Sequence, residues 1–109
     1  MPLRRGADIK IEFDENKRQI TLAKRNIDFL DMVVILVSPH VVLEARNKIE
    51  QRKIAVGILD GSYFAVIYTM RGENYRVITA RKARRDEREK YEELFSGGNP
   101  ENEDGNGLE

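Results

Sequence analysis

Three β-prone runs in the centre of the chain constrain its fold more than any other feature. They extend from Ile54 to Leu59, from Tyr63 to Met70 and from Tyr75 to Ala80. Asp60-Gly61 separates the first pair and Arg71-Gly72-Glu73-Asn74 separates the second, and both connections have the length and residue types of hairpin turns. Because such turns join neighbouring strands that run in opposite directions, the sequence predicts an antiparallel meander.

The segment before the meander predicts one strand and two helices. From Ile9 to Phe13 apolar and polar residues alternate, as in a half-buried strand. Asp14 can cap the start of a helix, and Asn26 suits the left-handed position at its end. Asp28 can cap a second helix, although the run Val33-Val34-Ile35 within it favours a strand by propensity.

Two more elements complete the order β-α-α-β-β-β-β-α. Val41 to Ala45 predicts a short strand. Lys82 to Phe95 predicts a helix, because Ala83, Tyr91 and Leu94 share one stripe at helical spacing. This order predicts an α+β domain, with one antiparallel sheet and the helices packed on one of its faces.

The length of 109 residues suits one domain of ordinary size. We expect residues 9–95 to form that domain and residues 1–8 to be a flexible N-terminus. Residues 96–109 should be a disordered acidic tail, because they are rich in Gly, Asn and acids and lack apolar periodicity. The longest apolar run, Met32 to Val37, is far too short for a membrane helix, so we expect a cytoplasmic protein with no membrane partner.

The composition also excludes several classes of site. The chain contains no cysteine and one histidine, His40. Disulfide scaffolds, thiol nucleophiles and metal sites built from Cys or several His side chains are therefore excluded. We expect no metal and no cofactor, and we regard the lone His40 as incidental.

A net charge of zero hides a basic body. The chain has 19 basic and 19 acidic residues, and four of the acids lie in residues 97–109, which leaves 19 basic against 15 acidic residues in the rest. The cations cluster from Lys17 to Arg25 and again from Arg76 to Lys90. Such clusters attract a polyanion, although a solvated charged surface is the more common origin of such runs.

The junction between the last strand and the last helix holds the strongest candidate site. Six cations lie there: Arg76, Arg81, Lys82, Arg84, Arg85 and Arg88. A cluster of this kind can bind phosphates and stabilise negative charge that builds up on phosphorus. By strict alternation along the strand, Arg76 shares a face with Ile78 and Ala80, where it is either neutralised by Glu87 or lines a cleft.

Glu87 is a carboxylate on the largely apolar stripe of the last helix, and it therefore needs a partner, either Arg76 or Arg81. Two interpretations of Glu87 are open. It forms a salt bridge that anchors the helix to the sheet, or burial raises its pKa and it transfers protons beside an arginine. Tyr91, one turn along, is either its partner in that transfer or a core aromatic residue.

The stretch from Arg76 to Tyr91 resembles the C-terminal signature of BrnT-type toxins: an Arg, two apolar residues, Thr-Ala-Arg, and then Ala, Glu and Tyr on a helix. The segment from Phe13 to Lys17 resembles the family's N-terminal aromatic-Asp-x-x-Lys. Glu50-Gln51-Arg52, before Ile54 to Gly57, resembles its third segment. The resemblance covers about residues 9–94.

This resemblance implies a RelE-like fold and the toxin of a type II toxin-antitoxin pair, which cleaves RNA and halts translation. It also implies a cognate antitoxin with a ribbon-helix-helix part, in a complex that represses its own operon and contacts DNA only through the antitoxin. The implied catalytic residues are Arg76, Arg81, Glu87 and Tyr91. The further candidates are Lys17 and Arg52.

Four positions depart from the family pattern. Phe13 replaces a Trp, Thr21 replaces an Asn, and Lys24-Arg25-Asn26 replaces Lys-His-Gly. Asn26 preserves the helix-stop chemistry of Gly. Arg25 keeps a phosphate contact but removes a proton carrier that titrates near neutral pH.

Together, the residues and the resemblance favour a metal-independent endoribonuclease in which a ribose 2′-hydroxyl attacks the adjacent phosphate. Arg76 and Arg81 would stabilise the phosphorane, and Glu87 or Tyr91 would move protons. The RNA backbone would be held by further cations: Lys17, Lys24, Arg25 and Arg84. One alternative is a non-catalytic module that binds RNA or a protein, with Arg76 and Glu87 as a structural pair. Another is a family member that has lost activity and binds only its antitoxin.

Overall fold

The computed structural model describes residues 10–45 and 51–95. In chain order its elements are β1 (Ile11–Phe13), α1 (Glu15–Arg25), α2 (Phe29–Val37), β2 (Val41–Ala45), β3 (Arg52–Leu59), β4 (Ser62–Arg71), β5 (Asn74–Lys82) and α3 (Arg85–Phe95). This α+β order is the predicted one, whereas the ends that we expected to be flexible, 1–8 and 96–109, lie outside the described residues. Within the described ranges, no helix is long and apolar enough to span a membrane.

The strands form one sheet in the order β1-β5-β4-β3-β2. β2, β3, β4 and β5 are antiparallel neighbours, which confirms the predicted meander. β1 pairs with β5 in the parallel direction instead, with Glu12 opposite Arg76. The sheet is therefore mostly rather than wholly antiparallel, because β1 and β5 are joined by a long crossover and not by a hairpin.

Three Asp and Asn residues set the ends of the first two helices. Asp14 accepts hydrogen bonds from two backbone N–H groups in the first turn of α1, and Asn26 ends that helix with a φ of 58°. Asp28 accepts from the backbone N–H of Leu30 and begins α2. These contacts confirm the predicted caps.

α2 is helical despite its β-branched run, because its inward side packs on the sheet. Phe29, Met32, Ile35 and Leu36 of this helix are buried. Gly57 on β3 permits the close approach, since a Cβ atom at that position would lie 2.9 Å from Cγ2 of Ile35. Burial of apolar surface thus outweighs the strand propensity of the sequence.

α3 lies on the opposite face of the sheet from α1 and α2. Tyr63 and Arg81 contact α3, whereas their strand neighbours Phe64 and Ala80 belong to the core beneath α1 and α2. The expectation that the helices share one face therefore holds for α1 and α2 and is corrected for α3. The connection explains the difference, because β5 continues to Lys82 and α3 begins three residues later than predicted.

A β-bulge in β5 decides which of its side chains share a face. Ile78 is an extra residue, with no partner of its own in the ladder between β4 and β5. Strict alternation placed Arg76 on the face of Ala80, and this prediction is wrong. Ala80 faces the core, whereas Arg76, Thr79 and Arg81 face the side that carries α3.

Candidate active site

Arg76, Thr79 and Arg81 form a line of polar side chains on the α3 face of the sheet, and we refer to them as the β5 row. Because the bulge at Ile78 shortens β5, the Cα atoms of Arg76 and Arg81 are separated by four to five strand steps of roughly 3.3 Å, or about 15 Å. The two arginine side chains retain 31% and 20% of their exposure. The row is therefore an accessible strip with a guanidinium group towards each end, and not one compact cluster.

Arg81 forms a two-pronged ion pair with Glu87 on α3. Its Nη1 and Nη2 atoms donate to Oε1 and Oε2 of Glu87, each at 2.8 Å. The backbone N–H of Arg84 also donates to Oε1 of Glu87 at 2.8 Å. The Glu87 side chain is only 4% exposed, and these three hydrogen bonds from protein groups satisfy its buried carboxylate.

These contacts start α3 and attach it to the sheet. Glu87 is the third residue of the helix, and a Glu at that position commonly accepts from the backbone N–H of the capping residue. The same carboxylate reaches the end of β5 through Arg81. Of the two arginines considered for Glu87 from the sequence, Arg81 is therefore the partner and Arg76 is not.

The pKa of the Glu87 carboxyl lies below its ordinary value. The main cause is the pair of hydrogen bonds from Arg81, and the backbone N–H of Arg84 acts in the same direction. Burial alone would raise this pKa, as the proton-transfer interpretation required, but the hydrogen bonds outweigh it. Glu87 therefore stays ionised and holds the Arg81 guanidinium, whose own pKa is raised by the same contact.

Arg76 has a different carboxylate beside it. Its Nη1 atom lies 3.6 Å from Oε1 of Glu12 on β1. The Asn74 side-chain amide donates to the other oxygen, Oε2 of Glu12, at 2.9 Å. Sequence reasoning missed Glu12 and Asn74, because only the parallel pairing of β1 with β5 brings Glu12 opposite Arg76.

Tyr91 lies in an aromatic cluster at the Arg81 end of the row. Its ring centroid is 5.6 Å from that of Tyr63, in an edge-on arrangement, and 4.6 Å from that of Phe95. The Tyr63 hydroxyl donates to Oε2 of Glu92 at 2.7 Å, a contact that raises the pKa of Tyr63. These contacts place the Tyr91 ring over the start of β4, whereas Arg76 pairs with the far end of that strand.

A cavity of about 420 Å³ separates α3 from the sheet beside Arg81. Its lining combines apolar side chains of the strands with charged groups near the start of α3: Leu43, Glu44, Ala45, Ile54, Ile67, Arg81, Arg84, Asp86 and Glu87. The cavity adjoins the Arg81 end of the β5 row and provides room for a flat or extended chemical group.

The structure divides the cations that the sequence grouped together. Lys17, Lys24 and Arg25 lie on α1, which packs on the other face of the sheet, and Nη1 of Arg25 donates to the Ala80 carbonyl at 2.9 Å. Arg84 is exposed beside Glu87. In the third segment Arg52 begins β3, while Glu50 lies outside the described residues. The candidate RNA contacts thus occupy both faces of the molecule.

His40 follows α2, with Nδ1 2.7 Å from the Ser38 carbonyl oxygen. Its imidazole ring therefore contacts the backbone of the loop in which it lies. Among residues 10–45 and 51–95, no three His, Asp or Glu side chains are close enough together to hold a metal ion.

Comparison with known proteins identifies the family. A model described as the ribonuclease toxin BrnT of type II toxin-antitoxin systems matches residues 13–87. The chain is also similar to the crystal structure of the Brucella abortus ribonuclease toxin BrnT, with 32% identity, coverage of 71% of this chain and 99% of that chain, and a TM-score of 0.54. A comparison with curated proteins returned no match. The likeness to RelE stays a prediction.

The match includes β4, β5 and the start of α3, so it covers the β5 row together with Glu87. It ends before Tyr91 and begins at Phe13, one residue after Glu12. Because it extends over more than half of the described domain and agrees with the solved relative, the chain belongs to the BrnT family of ribonuclease toxins of type II toxin-antitoxin systems.

Proposed function

We propose that the chain is an endoribonuclease that cleaves RNA without a metal ion, inhibits translation and is neutralised by a cognate antitoxin. The observation that carries this proposal is the β5 row, in which Arg76 and Arg81 share one accessible sheet face and each has a carboxylate beside it. Family membership supports RNA as the substrate and an antitoxin as a partner.

In this proposal a single RNA strand lies along β5. Arg76 and Arg81 bind separate phosphates, since their Cα atoms are about 15 Å apart, and Arg84 contacts the backbone beside Arg81. The 2′-oxygen of a ribose attacks the adjacent phosphorus, and the bond from phosphorus to the 5′-oxygen breaks. Guanidinium groups stabilise the negative charge that develops on the phosphoryl oxygens, and they do so without giving up a proton.

Glu87 and Tyr91 act at the Arg81 end of the strip. Glu87 orients the Arg81 guanidinium, because its carboxylate accepts three hydrogen bonds and its pKa is lowered. Tyr91 offers a phenol and a ring, which suit proton transfer and base stacking respectively. Lys17, Lys24 and Arg25 on the opposite face would extend the contact with a longer RNA or with the ribosome, and Arg52 would contact the substrate from β3.

The cellular part of the proposal follows from the family. We propose that the chain acts in the cytoplasm, where its RNA substrate is translated, and that it has no membrane partner. The antitoxin is proposed to carry a ribbon-helix-helix part, so that the toxin reaches DNA only through this protein.

A second candidate function is a non-catalytic module that binds RNA or protein. The observation that favours it is the structural character of the Arg81–Glu87 pair, which joins α3 to β5 irrespective of any chemistry. This alternative predicts RNA affinity that falls with salt concentration and no cleavage product.

The two functions are distinguished by incubating purified protein with a long single-stranded RNA, with and without EDTA. We expect EDTA-resistant fragments from the wild-type chain and none from Arg76→Ala. Arg71→Ala is the matched control, because it removes one exposed arginine from the last position of β4 and leaves the row intact. Binding without fragments would support the module, and fragments lost with EDTA would contradict metal independence.

A further inference from the structure

We propose that Glu12 is the catalytic carboxylate that accepts the proton of the attacking 2′-hydroxyl, at the Arg76 end of the β5 row. This inference rests on the proposed function, since it concerns the same RNA cleavage. It assigns a catalytic part to a β1 residue that the sequence did not single out.

The reaction needs a proton acceptor close to a bound phosphate, and Glu87 at the Arg81 end cannot serve as one. Both oxygens of Glu87 already accept from Arg81, and Oε1 also accepts from the Arg84 backbone. The side chain is 4% exposed, so a ribose hydroxyl has no approach to these oxygens. Glu87 is therefore occupied in holding Arg81.

Glu12 differs from Glu87 in each of these respects. Its side chain is 34% exposed and lies on the sheet face of the β5 row, beside Arg76. Asn74 donates to Oε2 at 2.9 Å and thereby fixes the carboxylate, while Oε1 faces the arginine. At 3.6 Å this oxygen is too far from Nη1 of Arg76 for a strong hydrogen bond, so it keeps a lone pair for a proton.

The pairing of β1 with β5 gives this arrangement its geometry. Glu12 and Arg76 are direct partners in the parallel ladder, and neighbouring strands lie about 4.8 Å apart. A phosphate held by the Arg76 guanidinium therefore has the Glu12 carboxylate within reach of the adjoining ribose. The base and the phosphate contact are both carried by strands, which hold side chains more rigidly than loops do.

The proposed step balances without a further reactant. The 2′-hydroxyl passes its proton to Oε1 of Glu12 as its oxygen forms a bond to phosphorus. The bond between phosphorus and the 5′-oxygen then breaks, and its electron pair stays on the departing oxygen, which takes a proton from water. The products are a 2′,3′-cyclic phosphate and a free 5′-hydroxyl, and Glu12 returns its proton to solvent.

Glu12→Gln tests this role, because glutamine preserves the shape and the contact with Asn74 but is a poor proton acceptor. Single-turnover cleavage of RNA by the full chain should fall by about 100-fold or more. Affinity for the same RNA with 2′-deoxyribose throughout, which binds but cannot react, should change by less than about threefold. Glu73→Gln, in the exposed turn before β5, is the matched control and should cleave at the wild-type rate.

The pH profile supplies a readout that a purely structural role would not change. The wild-type rate should fall as the solution is acidified and the acceptor is protonated, whereas the residual rate of Glu12→Gln should lack this acidic limb. Glu12→Asp, which keeps a carboxylate on a shorter side chain, should restore part of the rate. Cleavage by Glu12→Gln at the wild-type rate, or equal losses of cleavage and RNA binding in this variant, would overturn the assignment of Glu12 as the proton acceptor.

Arg76→Ala separates this inference from the function on which it rests. If Arg76→Ala is inactive and Glu12→Gln is fully active, the nuclease proposal stands and the Glu12 assignment fails. If the wild-type chain yields no fragments, both fail together. Cleavage by Arg76→Ala at the wild-type rate would refute the Arg76 end of the row as the reaction site, and with it the role of Glu12.

Discussion

Arg81 and Glu87 meet through two parallel hydrogen bonds of 2.8 Å, one to each carboxylate oxygen, between the end of β5 and the first turn of α3. The backbone N–H of Arg84 adds a third bond to the same carboxylate. One buried side chain therefore sets where the helix begins and how it is attached to the sheet. It also holds a guanidinium group of the proposed RNA site.

Glu87→Gln should destabilise the fold by about 3 kcal/mol, because it leaves Arg81 without its anion in a largely buried position. Unfolding by urea measures this change. The matched control is Glu89→Gln, since Glu89 forms an exposed pair with Arg85 on the same helix and should alter stability by less than about 0.5 kcal/mol. Equal stability of the two variants would show that the Arg81–Glu87 pair does not anchor α3.

The stability of the chain should depend on Glu87 at acidic pH. Its pKa is lower in the folded protein than in the unfolded chain, so the pair contributes fully above the ordinary glutamate value of about 4.3. The contribution is lost as pH falls through the lowered value. Between neutral pH and about pH 3, the melting temperature should therefore fall more steeply for the wild-type chain than for Glu87→Gln. An equal fall of the two melting temperatures would contradict the proposed cause.

Lysine should not substitute functionally for either arginine of the β5 row, but the two lysine variants should differ in stability. Arg76→Lys and Arg81→Lys keep the charge and lose the planar fork that binds phosphate, so each should cleave at least about tenfold more slowly. Only Arg81→Lys should also lower the melting temperature, because the one ion pair that Arg76 forms among the described residues is the 3.6 Å contact with Glu12. If Arg81→Lys is as stable and as active as the wild-type chain, Arg81 does not depend on its planar fork to bind Glu87 or phosphate.

Tyr91→Phe should retain cleavage within about threefold of wild type, since it preserves the ring contacts with Tyr63 and Phe95 and the 2′ proton goes to Glu12. Tyr91→Ala, which removes the ring, should weaken RNA binding because a base loses its stacking surface. Binding and single-turnover rates of both variants distinguish these effects. A loss of about 100-fold in Tyr91→Phe would assign proton transfer to the phenol instead.

The sequence determined the elements of the fold, because their signals are local. Capping by Asp14, Asn26 and Asp28 depends on backbone groups within one helical turn. The hairpin turns likewise depend on a few adjacent residues, so the order of strands and helices and the antiparallel meander were predictable. The family signature between Arg76 and Tyr91 is also a local pattern, and the family match over residues 13–87 includes it as far as Glu87.

The tertiary structure alone decided which side chains meet. A one-residue bulge at Ile78 moved Arg76 to the other face from Ala80, since alternation along a strand reverses with each added residue. Glu12 came beside Arg76 only because β1 pairs with β5 across more than half of the chain. Pairing between distant segments depends on packing of the whole sheet, and so the partners of the candidate site could not be read from neighbouring residues.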